Sequence, residues 1–315
     1  MFSPFPLLRL PRLVLCEVFK SLNIGEKIKL SLCSKKVSSQ INNARLYSQK
    51  VIIDVDCLNH KIRVHSENNK VIFEISTYSD PCKSQNSNVQ QFSIAGCSVR
   101  VIHIPTRIKT FWKNYREGFL SVIRHLLKMF QCKISISISC YDNDLYQPTM
   151  SMLFDLQQEF KRLGIKLEGS EDRQLLWNQI SNNLGLVENL SISSVSDPGF
   201  SAVFTSWPQK IGIRSSAWIT LEHLLECTST RIILKRSQLE NKDLDVILKN
   251  WKAGGLPNLE YLEIHSHNIT NNGATILGMA PLELRGKVIQ SDDGSKRAFI
   301  RMSNQSIEMS VTPIE

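Results

Sequence analysis

The residues in this 315-residue chain that could do chemistry are few and scattered. His265 and His267 flank one serine, a spacing that could present two imidazoles to a metal. No cysteine or third histidine lies near them in sequence, so a solvated turn is the simpler reading. Asp54 and Asp56 alternate in a strand-like run and read as solvated carboxylates. Cys132 and Cys140 bracket a β-branched stretch with no basic neighbour to lower a thiol pKa. The chain has no HExxH, no GxSxG and no phosphate-binding loop. The reading is a non-catalytic protein without cofactor or metal.

Binding is the remaining kind of chemistry. Trp207, Trp218 and Trp251 are candidate anchors for a protein partner. Trp251 lies on an apolar helical face and Trp218 at a helix start, so both read as core. Trp207, next to Pro208, is the exposed candidate. Lys235 and Arg236 follow a predicted strand, where a ligand-facing loop could sit. Substrate contacts are otherwise unreadable, and these three residues are the weak candidates. The formal net charge is +9 and charged residues make up 21% of the chain. Its cations are dispersed, without zinc-finger spacing, an Arg-rich run or an RNA-binding aromatic motif, which argues against nucleic acid as the main partner. The eight cysteines show no CxxC pair and sit mostly in apolar runs, as expected of reduced thiols inside a cell. The prolines and arginines of the first residues do not suit a signal peptide. No apolar run is long enough for a membrane span. The expected location is intracellular, cytoplasmic or nuclear.

These residues must be positioned by elements, and the first 45 residues form the most informative group. Val14, Leu15, Val18, Phe19 and Leu22 follow the spacing of one apolar helix face. Pro11 suits the start of that helix. After the break at Asn23 and Gly25, a second set runs through Ile28, Leu30, Leu32, Cys33, Val37 and Ile41. So short a segment needs the rest of the chain, or another protein, to cover its helices. The segment LLRLPRLVLCEVFKSLNIGEKIKLSLCSKKV resembles an F-box, the helical module by which substrate receptors dock on the Skp adaptor of a cullin–RING ubiquitin ligase. The Leu10-Pro11 opening, the helix ending at Leu22 and the LSLCSK run carry the likeness. It implies adaptor contacts from Leu8, Leu10, Pro11, Val14, Leu15, Val18, Phe19 and Leu22, and from Ile28, Leu30, Leu32, Cys33 and Val37. The alternative from the residues alone is a purely local helical core.

The body reads as short strands at residues 46–75, a polar loop at 76–92, and then strand–helix alternation. Predicted strands lie at Ser98 to Ile104, around Ile134, Ile136 and Ile138, and at Val187 to Ile192. Others lie at Lys210 to Arg214, Arg231 to Leu234, and Leu259 to Ile264. Predicted helices lie at Tyr115 to Phe130, Leu153 to Leu163, Leu175 to Leu184, Ile219 to Leu225 and Leu239 to Trp251. Repeats of this kind suggest an α/β fold with a parallel sheet backed by helices, arranged as an irregular leucine-rich-repeat-like arc. A three-layer α/β domain is the rival. Glu283 to Gln290, Lys296 to Met302 and Ser306 to Val311 read as antiparallel strands, with a turn at Asp292-Asp293-Gly294.

The run WITLEHLLECTSTRIILKRSQLENKDLDVILKNWKAGGLPNLEYLEI, with the later DDGSKRAFI, resembles the type 2 F-box-associated domain of nematode F-box proteins. That likeness spans about residues 186–264. The family's Asn-x-Phe-Leu-Lys-x-Trp is here Asp245-Val246-Ile247-Leu248-Lys249-Asn250-Trp251, which departs at its first and third positions. The expected organisation is an F-box at 1–45, strands and loop at 46–97, a strand–helix body at 98–282 and a C-terminal β region at 283–315. Together the two resemblances imply a substrate-recognition subunit of a Skp–cullin–F-box ligase, holding a protein substrate on its body. An adaptor-binding scaffold that does not promote ubiquitination is the alternative.

Overall fold

The computed structural model describes residues 7–44, 51–67, 72–80, 89–94, 96–137, 144–166, 177–178, 180–193, 203–271 and 274–314. The chain divides into two compact units, Met1–Gln158 and Glu159–Glu315. No helix among the described residues is long and apolar enough to cross a membrane.

The first unit opens with three helices, α1 (Arg12–Ser21), α2 (Ile24–Cys33) and α3 (Lys35–Asn43). Asn23 starts α2 with a reciprocal cap: its side chain accepts from the Glu26 amide at 2.9 Å, and its own amide donates to Glu26 at 2.8 Å. This satisfies donors that the helix start would leave open. Ser34 caps α3 in the same sense, accepting from the Lys36 amide. Strands β1 (Val51–Asp56), β2 (Lys61–Ser66) and β3 (Phe73–Ser79) form an antiparallel meander. Strands β4 (Val89–Ile94), β5 (Cys97–Ile104) and β6 (Arg107–Trp112) form a second one, joined to β3 through β6 in parallel. Helix α4 (Tyr115–Phe130) then leads to β7 (Lys133–Ile136), which pairs in parallel with β1, and α5 (Tyr146–Asp155) follows.

Alternate residues of β2 and β6 are buried, so one sheet face carries the core. Ile28 and Leu32 of α2 meet Ile75, Ile108, Val122 and Leu126 around a cavity of about 10 Å³. Two close approaches need glycine. A Cβ on Gly25 would stand 2.4 Å from the Phe73 ring, and one on Gly118 would stand 2.3 Å from the Trp112 ring. Ser31 of α2 and His125 of α4 complete the packing with a hydrogen bond of 2.9 Å between Oγ and Nε2.

The second unit holds the repeats. Strands β8 (Phe160–Lys166), β9 (Asn189–Ser193), β10 (Lys210–Ile213), β11 (Arg231–Ser237) and β12 (Tyr261–Ser266) pair in parallel in that order. Helices α6 (Leu221–Leu225), α7 (Asn241–Lys252) and α8 (Pro281–Leu284) lie in the connections. Three antiparallel strands close the unit: β13 (Val288–Gln290), β14 (Lys296–Ser303) and β15 (Ser306–Pro313), with β15 against β12. Gly294, at φ 74°, makes the turn that DDG announces.

The repeat is legible in register. Ile211, Ile232 and Leu262 share one row, and Ile213, Leu234 and Ile264 the next. All six are buried. Ser216, Ser237 and Ser266 are buried just past or at the ends of their strands. The Ser237 and Ser266 hydroxyls accept from the amides of Leu239 and Asn268, and Ser216 donates to the Lys235 carbonyl. These bonds turn the chain out of the sheet. The residues between the buried ones remain partly or fully exposed. Helices on one face, as in a leucine-rich-repeat-like stack, fit this alternation. A three-layer domain would bury both faces.

Several expected elements differ. Phe160 and Leu163, read as the end of a helix, lie on β8, and the helix stops at Asp155. Glu283 and Leu284 belong to the short helix α8, not to a strand, because Pro281 presets its first turn. The loop expected at 76–92 is strand through Ser79 and again from Val89. Strand β6 was not expected at all. Ile138 of the expected strand, Leu175 of the expected helix and residues 68–71 of the expected strand region lie outside the described residues.

Candidate functional site

The N-terminal helices divide their apolar residues between a core and an open face. Leu15, Phe19, Ile28, Leu32 and Val37 are buried within the chain, with Phe19 and Ile28 fully so. Full burial of side chains this size is worth roughly 1.5–3 kcal/mol each. Leu8, Leu10, Val18, Leu22 and Leu30 are half-buried, while Pro11, Val14 and Cys33 are exposed. Leu13 is 83% exposed and Val14 45%. Neighbouring apolar side chains in water on one helix are what a docking surface requires. Leu13 was missed from sequence because it lies off the periodic stripe; an apolar residue just outside a stripe was the available signal. Beside this face, Leu8, Leu10, Arg12, Leu15, Lys36 and Gln40 line a groove of about 310 Å³.

The candidates for chemistry are engaged in structure. His265 Nε2 lies 2.7 Å from a Glu263 carboxylate oxygen, and Tyr261 donates to that carboxylate at 3.0 Å. Burial pushes the Glu263 pKa up, but the bonds from His265 and Tyr261 prevail and hold it below the usual range. Burial, with help from Glu263, pushes the Tyr261 hydroxyl up to about 12. His267 is exposed. Among the described residues, no three His, Cys, Asp or Glu are grouped as metal ligands. Asp54 faces His65 at 2.8 Å, and Asp56 accepts from the Asn59 amide and side chain. Burial drives the Cys132 thiol to about 12 and raises that of Cys227. Neither is poised as a thiolate. Cys140 lies outside the described residues.

Trp251 and Trp218 are buried, as expected. Trp207 is half-buried and stacked on Phe204 at 3.9 Å, and Phe204 in turn lies parallel to Trp218. Lys235 and Arg236 are exposed at the end of β11, where the register with β12 is interrupted and Arg236 takes a left-handed φ of 54°. They are separate from Trp207, which precedes β10.

Comparison with known proteins bears on both units. A family model described as F-box domain matches residues 7–49. A second, described as F-box associated, matches residues 200–264. One uncharacterized Caenorhabditis elegans protein is 22% identical over 80% of this chain and 58% of its own length. A second uncharacterized protein of that organism is 24% identical over 88% of this chain and 79% of its own. The Caenorhabditis elegans E3 ubiquitin-protein ligase hecw-1 is 22% identical over 86% of this chain and 23% of its own. The chain thus spans little more than half of the first of these relatives and about a quarter of the third. No solved structure matches. The chain carries an F-box domain followed by an F-box-associated domain, the pair and order of nematode-type F-box proteins.

Proposed function

We propose that this chain is a non-catalytic substrate receptor of a Skp–cullin–F-box ubiquitin ligase. The observation that carries the reading is the exposed apolar face of α1, within the segment matched as an F-box. Pro11, Leu13 and Val14 would lie at the centre of the adaptor contact, flanked by Leu8, Leu10, Val18 and Leu22. Leu30 and Cys33 would sit nearer its edge. Leu15, Phe19, Ile28, Leu32 and Val37 would act from beneath by fixing the helices. A contact of about 800 Å² per partner is the standard size for such a complex.

The mechanism is positional. Among the described residues the Cys132 and Cys227 thiols are held protonated by burial, and ubiquitin transfer would belong to the RING subunit and the conjugating enzyme. The α/β body would hold a protein substrate beside them, which raises effective concentration. The assembly reading also suits the similarity to a protein named as a ubiquitin ligase, though that match covers little of the relative.

Co-purification with a Skp adaptor tests the docking step. Accumulation of a bound partner when the chain is absent separates a ligase receptor from a scaffold that leaves its partners unmodified.

A further inference from the structure

The repeats of the second unit do more than stack aliphatic residues. The repeats of β10, β11 and β12 put a basic residue directly after the second buried aliphatic: Arg214 after Ile213, Lys235 after Leu234, and His265 after Ile264. Parallel register aligns them, since Ile213 faces Leu234 and Leu234 faces Ile264. A second cationic row lies four residues back, where Lys210 pairs with Arg231. Along β10 the two rows are about 13 Å apart. Between them lie Gly212 and half-exposed Ile233, themselves paired. A Cβ added at Gly212 would meet nothing within 4 Å.

Charge on this face is unbalanced. Lys210, Arg214, Arg231 and Lys235 make no ion pair among the described residues. The acids on the neighbouring strands are already engaged, Glu263 by His265 and Tyr261, and Glu308 by Arg301 at 3.5 Å. The Arg231 guanidinium stacks 3.9 Å from the centre of the Tyr261 ring, which holds it in place.

We infer that the open face of β10 and β11 binds an acidic, extended segment of a partner protein. Its carboxylates would meet the Arg214–Lys235 row and the Lys210–Arg231 row, and one apolar side chain between them would sit over Gly212 against Ile233. Glu263 and Glu308 confine the positive stripe to two strands. That favours a peptide over a polyanion such as nucleic acid, which would run onto those carboxylates. The inference deepens the receptor reading and rests on it for biological role only, because binding is measured without the adaptor.

The test is fluorescence anisotropy of the full chain with a fluorescein-labelled poly-glutamate peptide carrying one central leucine. Saturable, salt-sensitive binding is expected. R214E/R231E/K235E should weaken it by about tenfold or more. G212L, which leaves charge unchanged, should weaken it too. K113E/R124E/K128E, an equal charge change on the first unit, should leave it intact, as should L13D/V14D. Thermal unfolding of each variant separates lost binding from lost fold. Absence of saturable binding overturns the inference. So does equal loss in the control triple variant, or tighter binding of a single-stranded oligonucleotide through the same residues. Retained peptide binding by L13D/V14D keeps this outcome separate from that of adaptor docking.

Discussion

Two glycines make opposite demands on their surroundings. Gly118 leaves no space for a methyl group, because the Trp112 ring lies 2.3 Å from where a Cβ would stand and that ring is itself buried. Gly118→Ala should cost about 1–3 kcal/mol, as overpacking does. Gly212 opens onto free space in a strand. Gly212→Ala should be neutral or stabilising by a few tenths of a kcal/mol up to about 1 kcal/mol, through the entropy of the unfolded chain. Urea denaturation of both variants checks the contrast, and equal effects would contradict the packing described. His125 supplies a pH dependence. Burial beside Ser31 lowers its pKa, and Lys128 acts in the same direction. The unfolded chain therefore takes up a proton near pH 6.5 before the native chain does. Stability is full above that pH and falls as pH drops through it. His103 is shifted the same way, by burial and Lys29. His125→Gln should flatten the loss below about pH 6.5 in a series of unfolding curves.

At the scale of elements, α2 joins the N-terminal helices to the first unit's sheet. Asn23 holds its start through the reciprocal cap, so Asn23→Ala should cost about 1 kcal/mol. Ile28, fully buried against the sheet face, should cost about 2–5 kcal/mol as Ile28→Ala. Both values come from equilibrium unfolding. If Ile28→Ala were the milder change, α2 would not be packed as described. Sequence periodicity located α4 to its end residues, because Phe119, Val122, Ile123, Leu126 and Leu127 all face one core. It also located the parallel strands around their aliphatic pairs. It failed at Phe160 and Leu163, whose three-residue spacing fits a helix face, although both lie on β8 in register with Val187 and Leu190. It missed β6, whose pairing to β3 is decided by residues more than thirty positions away. In the candidate site, the periodic stripe named the buried Leu15 and Phe19 together with exposed Val14 and half-buried Val18 and Leu22, so spacing did not separate core from open face. Exposure of Leu13 was invisible to it, since a helix face is defined only by what packs against it.

At the scale of the whole molecule, the role proposed for this chain is to position other proteins. Among the described residues, His125, His265, Glu263 and the Cys132 and Cys227 thiols are taken up by packing and hydrogen bonds within the chain. The open faces of α1 and of the β10–β11 pair are the surfaces proposed for partners. These two surfaces belong to different units, so each can be disabled without touching the other. The central claim is that α1 presents an apolar surface to be covered by a Skp adaptor. The most direct measurement is affinity capture of purified adaptor by the full chain, comparing wild type with L13D/V14D at matched thermal stability. Capture by wild type is expected, with loss by about tenfold or more in a variant that still folds. Undiminished capture by that variant, or no capture by a folded wild type, would contradict the claim.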